Sequence, residues 1–441
     1  MTVAVTRTKA EQAYSETFEA VAPKLPGGRA VADARKAAIG AFAGLGFPHR
    51  RIEEWKYTDL RSALKEALPP AIADATPVTV AELESALEGL AALDAHRVVF
   101  VNGAHRPDLS TAGAEKGLEI GPLAAALGQS AGDASIRPSA PGLEAVIALN
   151  TAFMTDGALI RIGKGAHLAK PVLLAFVRAG KAPHLVTTRN SLRMGDGARA
   201  TVIEAHVSLP GAGAGQANTL TEIAVGDGAA LTHVKCTLEG TGTSHVAGWL
   251  ATLGAAAHYR AFHLTAGTGL VRNTVLVTYK GEGAKLDISG CFLGRDTEHI
   301  DTTMVVDHAV PGCESRELFK GVLADKARGI FQGKVIVRPD AQKTDGKQMA
   351  QVLMLSDDAE FDSKPELEIY ADDVVCGHGS TAAELDSDLL FYLRSRGIPL
   401  EEARRMLIES FVGEALDKIE DEHLREALSA MAIGRLAGLA A

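Results

Sequence analysis

A thiol and an imidazole stand two positions apart at Cys376 and His378. On a β-strand that spacing turns both side chains to one face, where they can meet one metal ion of intermediate softness or one sulfur atom. The residues just before them alternate. Leu367, Ile369 and Ala371 fall on one face, and Glu366, Glu368, Tyr370 and Asp372 on the other. Continuing that count puts Cys376 and His378 on the polar face, unless Asp372-Asp373 forms a corner. A lone Cys is also a common small core residue, so the spacing by itself leaves a purely structural reading open. His299, Asp301, Asp307 and His308 have metal-ligand residue types as well. Outward polar residues on stacked strands ordinarily meet solvent or pair in ladders, and this group is read as structural.

The elements that must hold Cys376 and His378 are visible in a repeat. Gly-x-Gly-Ala occurs at 163–166, 195–198, 226–229 and 281–284, with a degenerate copy, Gly254-Ala255-Ala256-Ala257. The first glycines stand at 163, 195, 226, 254 and 281, hence steps of 32, 31, 28 and 27. Each step holds two alternating stretches, such as ARATVIEAHVSL followed by NTLTEIAVG. Two strands and a glycine corner at this period predict a solenoid. No crossover helix fits between the strands, which argues against a doubly wound sheet. The reading is therefore mainly β: a right-handed parallel β-helix of flattened two-strand coils over 145–383. N-terminal and C-terminal helical regions flank it. The predicted division is a helical domain at 1–95, an α/β connecting segment at 96–144, the β-helix core at 145–383 and a helical domain at 384–441.

Helical periodicity supports the ends. Residues 8–22, 28–44 and 81–93 read as helices, 97–102 as a first strand, 69–80 as a linker and 128–141 as a loop. Asp386-Ser387 is a helix start, with Leu389, Leu390 and Leu393 behind it and Gly397 as its stop. Pro399 opens a further helix with the stripe Leu400, Ala403, Leu407, Phe411, Ala415 and Ile419. Trp55 and Tyr57 are read as anchors of the N-terminal cap.

Composition excludes several classes. The 441 residues carry a formal charge of −10, which does not predict a nucleic-acid surface. The four cysteines, at 236, 291, 313 and 376, form no CxxC pair, so neither a zinc-finger nor a ferredoxin pattern is present. No apolar run approaches the ~20 residues of a membrane span, and Met1–Leu25 lacks the apolar region of a signal peptide. A cytoplasmic protein with reduced thiols is expected. There is no P-loop, no HExxH and no nucleophile elbow, so a non-catalytic scaffold is expected, with any nucleotide hydrolysed by a partner. Two other readings stay open: an adaptor that ligates nothing, and, remotely, a carbohydrate-acting β-helix enzyme.

The stretch 366–398 resembles the SufB/SufD family of the SUF iron–sulfur cluster assembly system. The resemblance is carried by LEIYADDV, by Cys376-Gly377-His378-Gly379-Ser380-Thr381 and by LLFYLRSRGI. SufB-type members usually have a Glu-His-Glu-Ala-Thr-type segment where this chain has the Cys-Gly-His run, so the resemblance is to the SufD branch. PHRRIEEWKYTDL at 48–60, Leu149-Asn150-Thr151-Ala152 with Asp156-Gly157, HIDTTMVVDH, GIFQGKVIV and 341–356 are similar as well. The resemblance is strongest at 299–420 and weak at 1–45 and 105–140.

It implies the same β-helix, a heterodimer with a SufB-like subunit, and docking of the SufC ATPase on the C-terminal helical region. Leu390, Phe391, Tyr392, Arg394, Arg396, Gly397, Arg404 and Phe411 are the docking candidates. It implies that His378, with Cys376 secondary, holds iron or a nascent cluster at the heterodimer interface. No cofactor is expected to be bound permanently; a transient iron–sulfur cluster or iron is expected in the complex. Exposed edge strands also allow a homodimer of the isolated chain.

Overall fold

The glycine corners explain how the chain coils. The second glycine of each Gly-x-Gly-Ala takes the left-handed backbone: Gly165, Gly197, Gly228 and Gly283 have φ of +64, +66, +64 and +70°. The first glycine lies against the preceding coil. A Cβ on Gly195 would sit 2.6 Å from the Lys164 amide nitrogen, and one on Gly281 would sit 2.0 Å from that of Ala255. In the degenerate copy Ala256 makes the left-handed turn itself, at φ +51°. The closing alanines Ala198, Ala229, Ala257 and Ala284 are buried in the interior, so successive coils stack closely.

The structure is a computed structural model describing residues 7–72, 75–129 and 140–437. The loop read at 128–141 lies mostly outside them. The strands form a ten-stranded and a nine-stranded sheet; from Val172–Arg178 onward they alternate between the two, and each pairs in parallel with its equivalent one coil away. From Ala158–Ile162 to Val375–Ala383 this makes about eight coils of a parallel β-solenoid, with helices at both ends of the chain. The continuous interior core includes Ile160, Val202, Trp249, Val275, Phe319 and Phe331.

Each outer face carries one set of helices. Lys9–Val21, Arg29–Leu45 and Glu144–Phe153 cover the nine-stranded sheet, with Tyr14, Phe42 and Phe153 packed against Leu185, Leu220 and Val246. Leu400–Leu416 and Glu422–Leu436 cover the ten-stranded sheet, joined there by Val80–Leu87. Their Ile408, Val412, Leu428 and Met431 pack on Val234, Phe262, Leu264 and Val322. The Leu400–Leu416 helix buries Ala403, Ile408, Val412, Ala415 and Leu416. Its apolar face thus drifts from the predicted stripe, leaving Leu407 and Phe411 half-buried.

The two ends of the solenoid differ. At the N-terminal end, antiparallel pairs close the coil: His96–Val101 with Ala104–His105, and Leu118–Pro122 with Ala158–Ile162. At the C-terminal end, Glu360–Ile369 and Val375–Ala383 are the edge strands of their sheets and contain no buried residue. Their outer N–H and C=O groups form an open template for another chain.

Trp55 anchors the N-terminal segment as expected. It is fully buried, its Nε1 donates to the Gly142 carbonyl at 2.6 Å, and its ring lies 4.5 Å from the Arg272 guanidinium carbon. The second anchor is Thr58 rather than Tyr57, which is half-buried. The Thr58 hydroxyl bonds both His299 and Asp301.

Candidate functional site

Cys376 and His378 share a face, but not the one that the alternation of 366–372 assigns. The strand Glu360–Ile369 ends, residues 370–374 turn, and Val375–Ala383 belongs to the opposite sheet. The Asp372-Asp373 corner resets the count. In the parallel register Cys376 stands over Gly346 and His378 over Gln348. Gln348 is buried while its neighbours Lys347 and Met349 are exposed, so this column is the inward one. The two residues therefore occupy the mouth of the solenoid interior.

Cys376 is half-buried and packs against Val335, Val337, Ala341 and Ala371. It is a free thiol, and burial pushes its pKa above the ordinary value. His378 is exposed on the uncapped coil. A cleft of 1210 Å³ between the outer face of the ten-stranded sheet and the turn 417–421 is bordered by residues 375–379, but the inward column of Cys376 and His378 faces away from it. Among the described residues no group of three or more His, Cys, Asp or Glu side chains converges on one point. An imidazole nitrogen and a thiol suit iron as donors, but two of them leave a coordination sphere for other molecules to complete.

The docking candidates fall on a different surface. Helix Ser387–Ser395 is capped by Asp386, which accepts from the Asp388 and Leu389 amides, and it buries none of its residues. Phe391 is 74% exposed, Tyr392 54% and Leu389 51%. Leu390 is half-buried, whereas Arg394, Arg396 and Gly397 are exposed, and the Arg396 guanidinium lies over the Tyr392 ring. Gly397 ends the helix at φ +87°. Arg404 is half-buried on the next helix. Phe411 turns toward the solenoid, its ring 4.3 Å from the Lys320 amine.

The residues of the group at 299–308 find partners within the protein. Asp301 and Arg272 form a buried ion pair; Asp301 also accepts from Thr58 and Thr303, and Arg272 donates to the Glu54 carbonyl at 2.7 Å. Asp307 holds Arg338 at 2.9 Å, and His308 Nε2 lies 3.1 Å from the Ser315 hydroxyl. Asp301 and His308 are fully buried, so neither is solvated as an outward residue would be.

Sequence reasoning missed an ionic network inside the solenoid. Glu204 lies 3.0 Å from His233, Lys235 lies 3.0 Å from His245 and 2.8 Å from Asn273, and His245 lies 2.7 Å from Glu239. Burial pulls Lys235 down to about 8 and His206 to about 4. The signal was in the alternation: Glu204, His233 and Lys235 share parity with the core residues Val202 and Leu231. Glu317 was missed in the same way. It is 3% exposed, and neither carboxyl oxygen has a hydrogen-bond partner.

Burial pushes Glu317 up to about 8. In the unfolded chain it ionises near the usual carboxylate value of about 4.3. The folded state thus holds an extra proton between these values, and stability falls as pH rises through that window. Glu317→Gln is expected to remove the loss. The stability gap between mutant and wild type should widen by about 2–5 kcal/mol from pH 4.5 to pH 8. Parallel curves of unfolding midpoint against pH would contradict this.

The solenoid thus ends in an uncovered last coil that bears a thiol and an imidazole, followed by a helix that buries none of its own residues. Comparison with known proteins gives the particular family. The SufBD core domain of SUF system FeS cluster assembly matches residues 176–411, and the SufBD protein N-terminal region matches residues 8–174. The chain is 34% identical over 398 residues to the iron–sulfur cluster assembly protein SufD of Escherichia coli, covering 89% of this chain and 90% of that protein. It is 31% identical over 409 residues to a SufBD family protein of Synechocystis, covering 87% and 86%. Identity to SufD of Bacillus subtilis is 28% over 287 residues, covering 64% of each. The chain belongs to the SufB/SufD family, resembles SufD within it, and has a role in SUF iron–sulfur cluster assembly. No helix among the described residues is long and apolar enough to cross a membrane.

Proposed function

We propose that this chain is the SufD-type subunit of a SUF assembly complex. It pairs through its open last coil with a SufB-type subunit, docks a SufC-type ATPase on its C-terminal helices, and aids iron entry and cluster assembly at the shared edge. The observation that carries the reading is the uncapped coil Glu360–Ala383, whose edge strands contain no buried residue and which bears His378 and Cys376 at its mouth. The incomplete donor set favours a site shared with the partner over a cage built by this chain. His378 is the primary ligand and Cys376 the secondary one.

The helices offer a route for force. Leu400–Leu416 packs on Lys285–Gly294 and Glu314–Leu323, strands of the sheet that ends in Val375–Ala383. Movement of an ATPase bound beside it would reach that sheet as a rigid-body displacement. The test is co-purification of the full chain with SufB-type and SufC-type subunits. A stable ternary complex is expected; failure to recover one under anaerobic conditions would sink the reading.

A further inference from the structure

The column beneath His378 continues inward as Gln348, Glu317 and Ile288, in register across neighbouring strands of the ten-stranded sheet. Ile288 belongs to the interior core, so the column faces the solenoid axis. Gln348 is 3% exposed. Its amide crosses the interior, with Nε2 donating to the Glu366 carbonyl of the opposite sheet at 3.4 Å and Oε1 unpartnered. Gly333 on that sheet makes room for it: a Cβ there would lie 2.0 Å from Gln348 Oε1. One coil deeper, Glu317 keeps both oxygens unpartnered. Beside this column the Cys376 thiol lies over Gly346, 3.7 Å from where a Cβ on that glycine would sit.

Buried polar atoms without partners are rare, and an absent ion is one physical reason for them. Here three such oxygens lie in register one and two coils in from the exposed His378. We propose that Glu317, Gln348 and His378 form an interior station for a divalent transition-metal cation, entered through the open end past Cys376. The proposal rests on His378 being a metal ligand. Carboxylate and amide oxygens with one imidazole nitrogen suit a borderline cation such as ferrous iron. Gln348 and Glu317 lie one and two strand spacings, about 5 and 10 Å, behind the last coil, so a cation held between them and His378 sits inside the protein before it meets sulfur. When the cation enters, the Glu317 carboxyl exchanges its proton for a metal–oxygen bond, and the proton leaves to solvent by the same mouth.

The test is anaerobic titration of the isolated full chain with Co²⁺, read by its visible absorption, for wild type, Glu317→Gln, Gln348→Met and His378→Ala. Glu317→Gln and His378→Ala are each expected to weaken binding about ten-fold or more. Gln348→Met, which keeps the volume and removes the oxygen, serves as an independent probe and should weaken it less. Wild-type binding by Glu317→Gln and Gln348→Met alongside loss in His378→Ala would overturn the interior station and leave the role of His378 standing. Wild-type binding by all three variants would overturn both. A more stable Glu317→Gln protein with unchanged Co²⁺ affinity would mark Glu317 as a buried acid only and overturn the proposal.

Discussion

Replacing Asp301 by Ala is expected to destabilise the protein by about 3–5 kcal/mol, the usual effect of stranding one partner of a buried ion pair. Asp301 and Arg272 are both almost wholly buried, and each has further hydrogen bonds. Their partners come from two coils and from the segment 53–58, so the pair fastens the N-terminal region to the solenoid. Removing the carboxylate leaves a buried guanidinium facing Trp55 and the Thr58 hydroxyl with one partner fewer. Denaturant unfolding measures the loss, and a change below about 1 kcal/mol would refute the account. The double replacement Arg272→Met with Asp301→Leu should recover much of the stability, because it removes the charge along with its partner.

Replacing Phe391 by Ala is expected to weaken docking of the SufC-type ATPase by at least about 2 kcal/mol, roughly thirty-fold. Phe391 is the most exposed large apolar side chain among the described residues, on a helix that buries none of its own. Leu389 and Tyr392 are exposed on other sides of this helix, while Arg394, one turn on from Phe391, and Arg396 place cations near it. Aromatic anchors with such neighbours commonly dominate binding. Since Phe391 contributes little to the fold, the melting temperature should not move. Calorimetric titration with the ATPase checks both statements, and an unchanged affinity would remove this helix from the interface.

The solenoid was legible because two glycines recur for separate steric reasons, the left-handed turn at Gly197 and the backbone approach at Gly195. The exposed helix was legible too, since Asp386 and Gly397 bracket a short apolar run. The direction of His378 was not. Side-chain direction on a strand is counted from its neighbours, and residues 370–374 break the count between two sheets. The buried pair Arg272–Asp301 was hidden for a related reason. Its members meet only because they are register partners one coil apart. Glu204, Lys235 and Glu317 sit at inward positions where charge is disfavoured, so polarity alone suggests the wrong face for them.

Those corrections leave the central claim resting on one histidine at an open edge. The most direct test reconstitutes the cluster anaerobically on the purified complex with SufB-type and SufC-type subunits, for wild type and His378→Ala, and follows it by visible absorption and iron content. The account predicts an intact complex in both cases and loss of the cluster in the mutant. An intact complex carrying a full cluster in His378→Ala would contradict it and leave the chain as an adaptor that shapes the complex without holding iron.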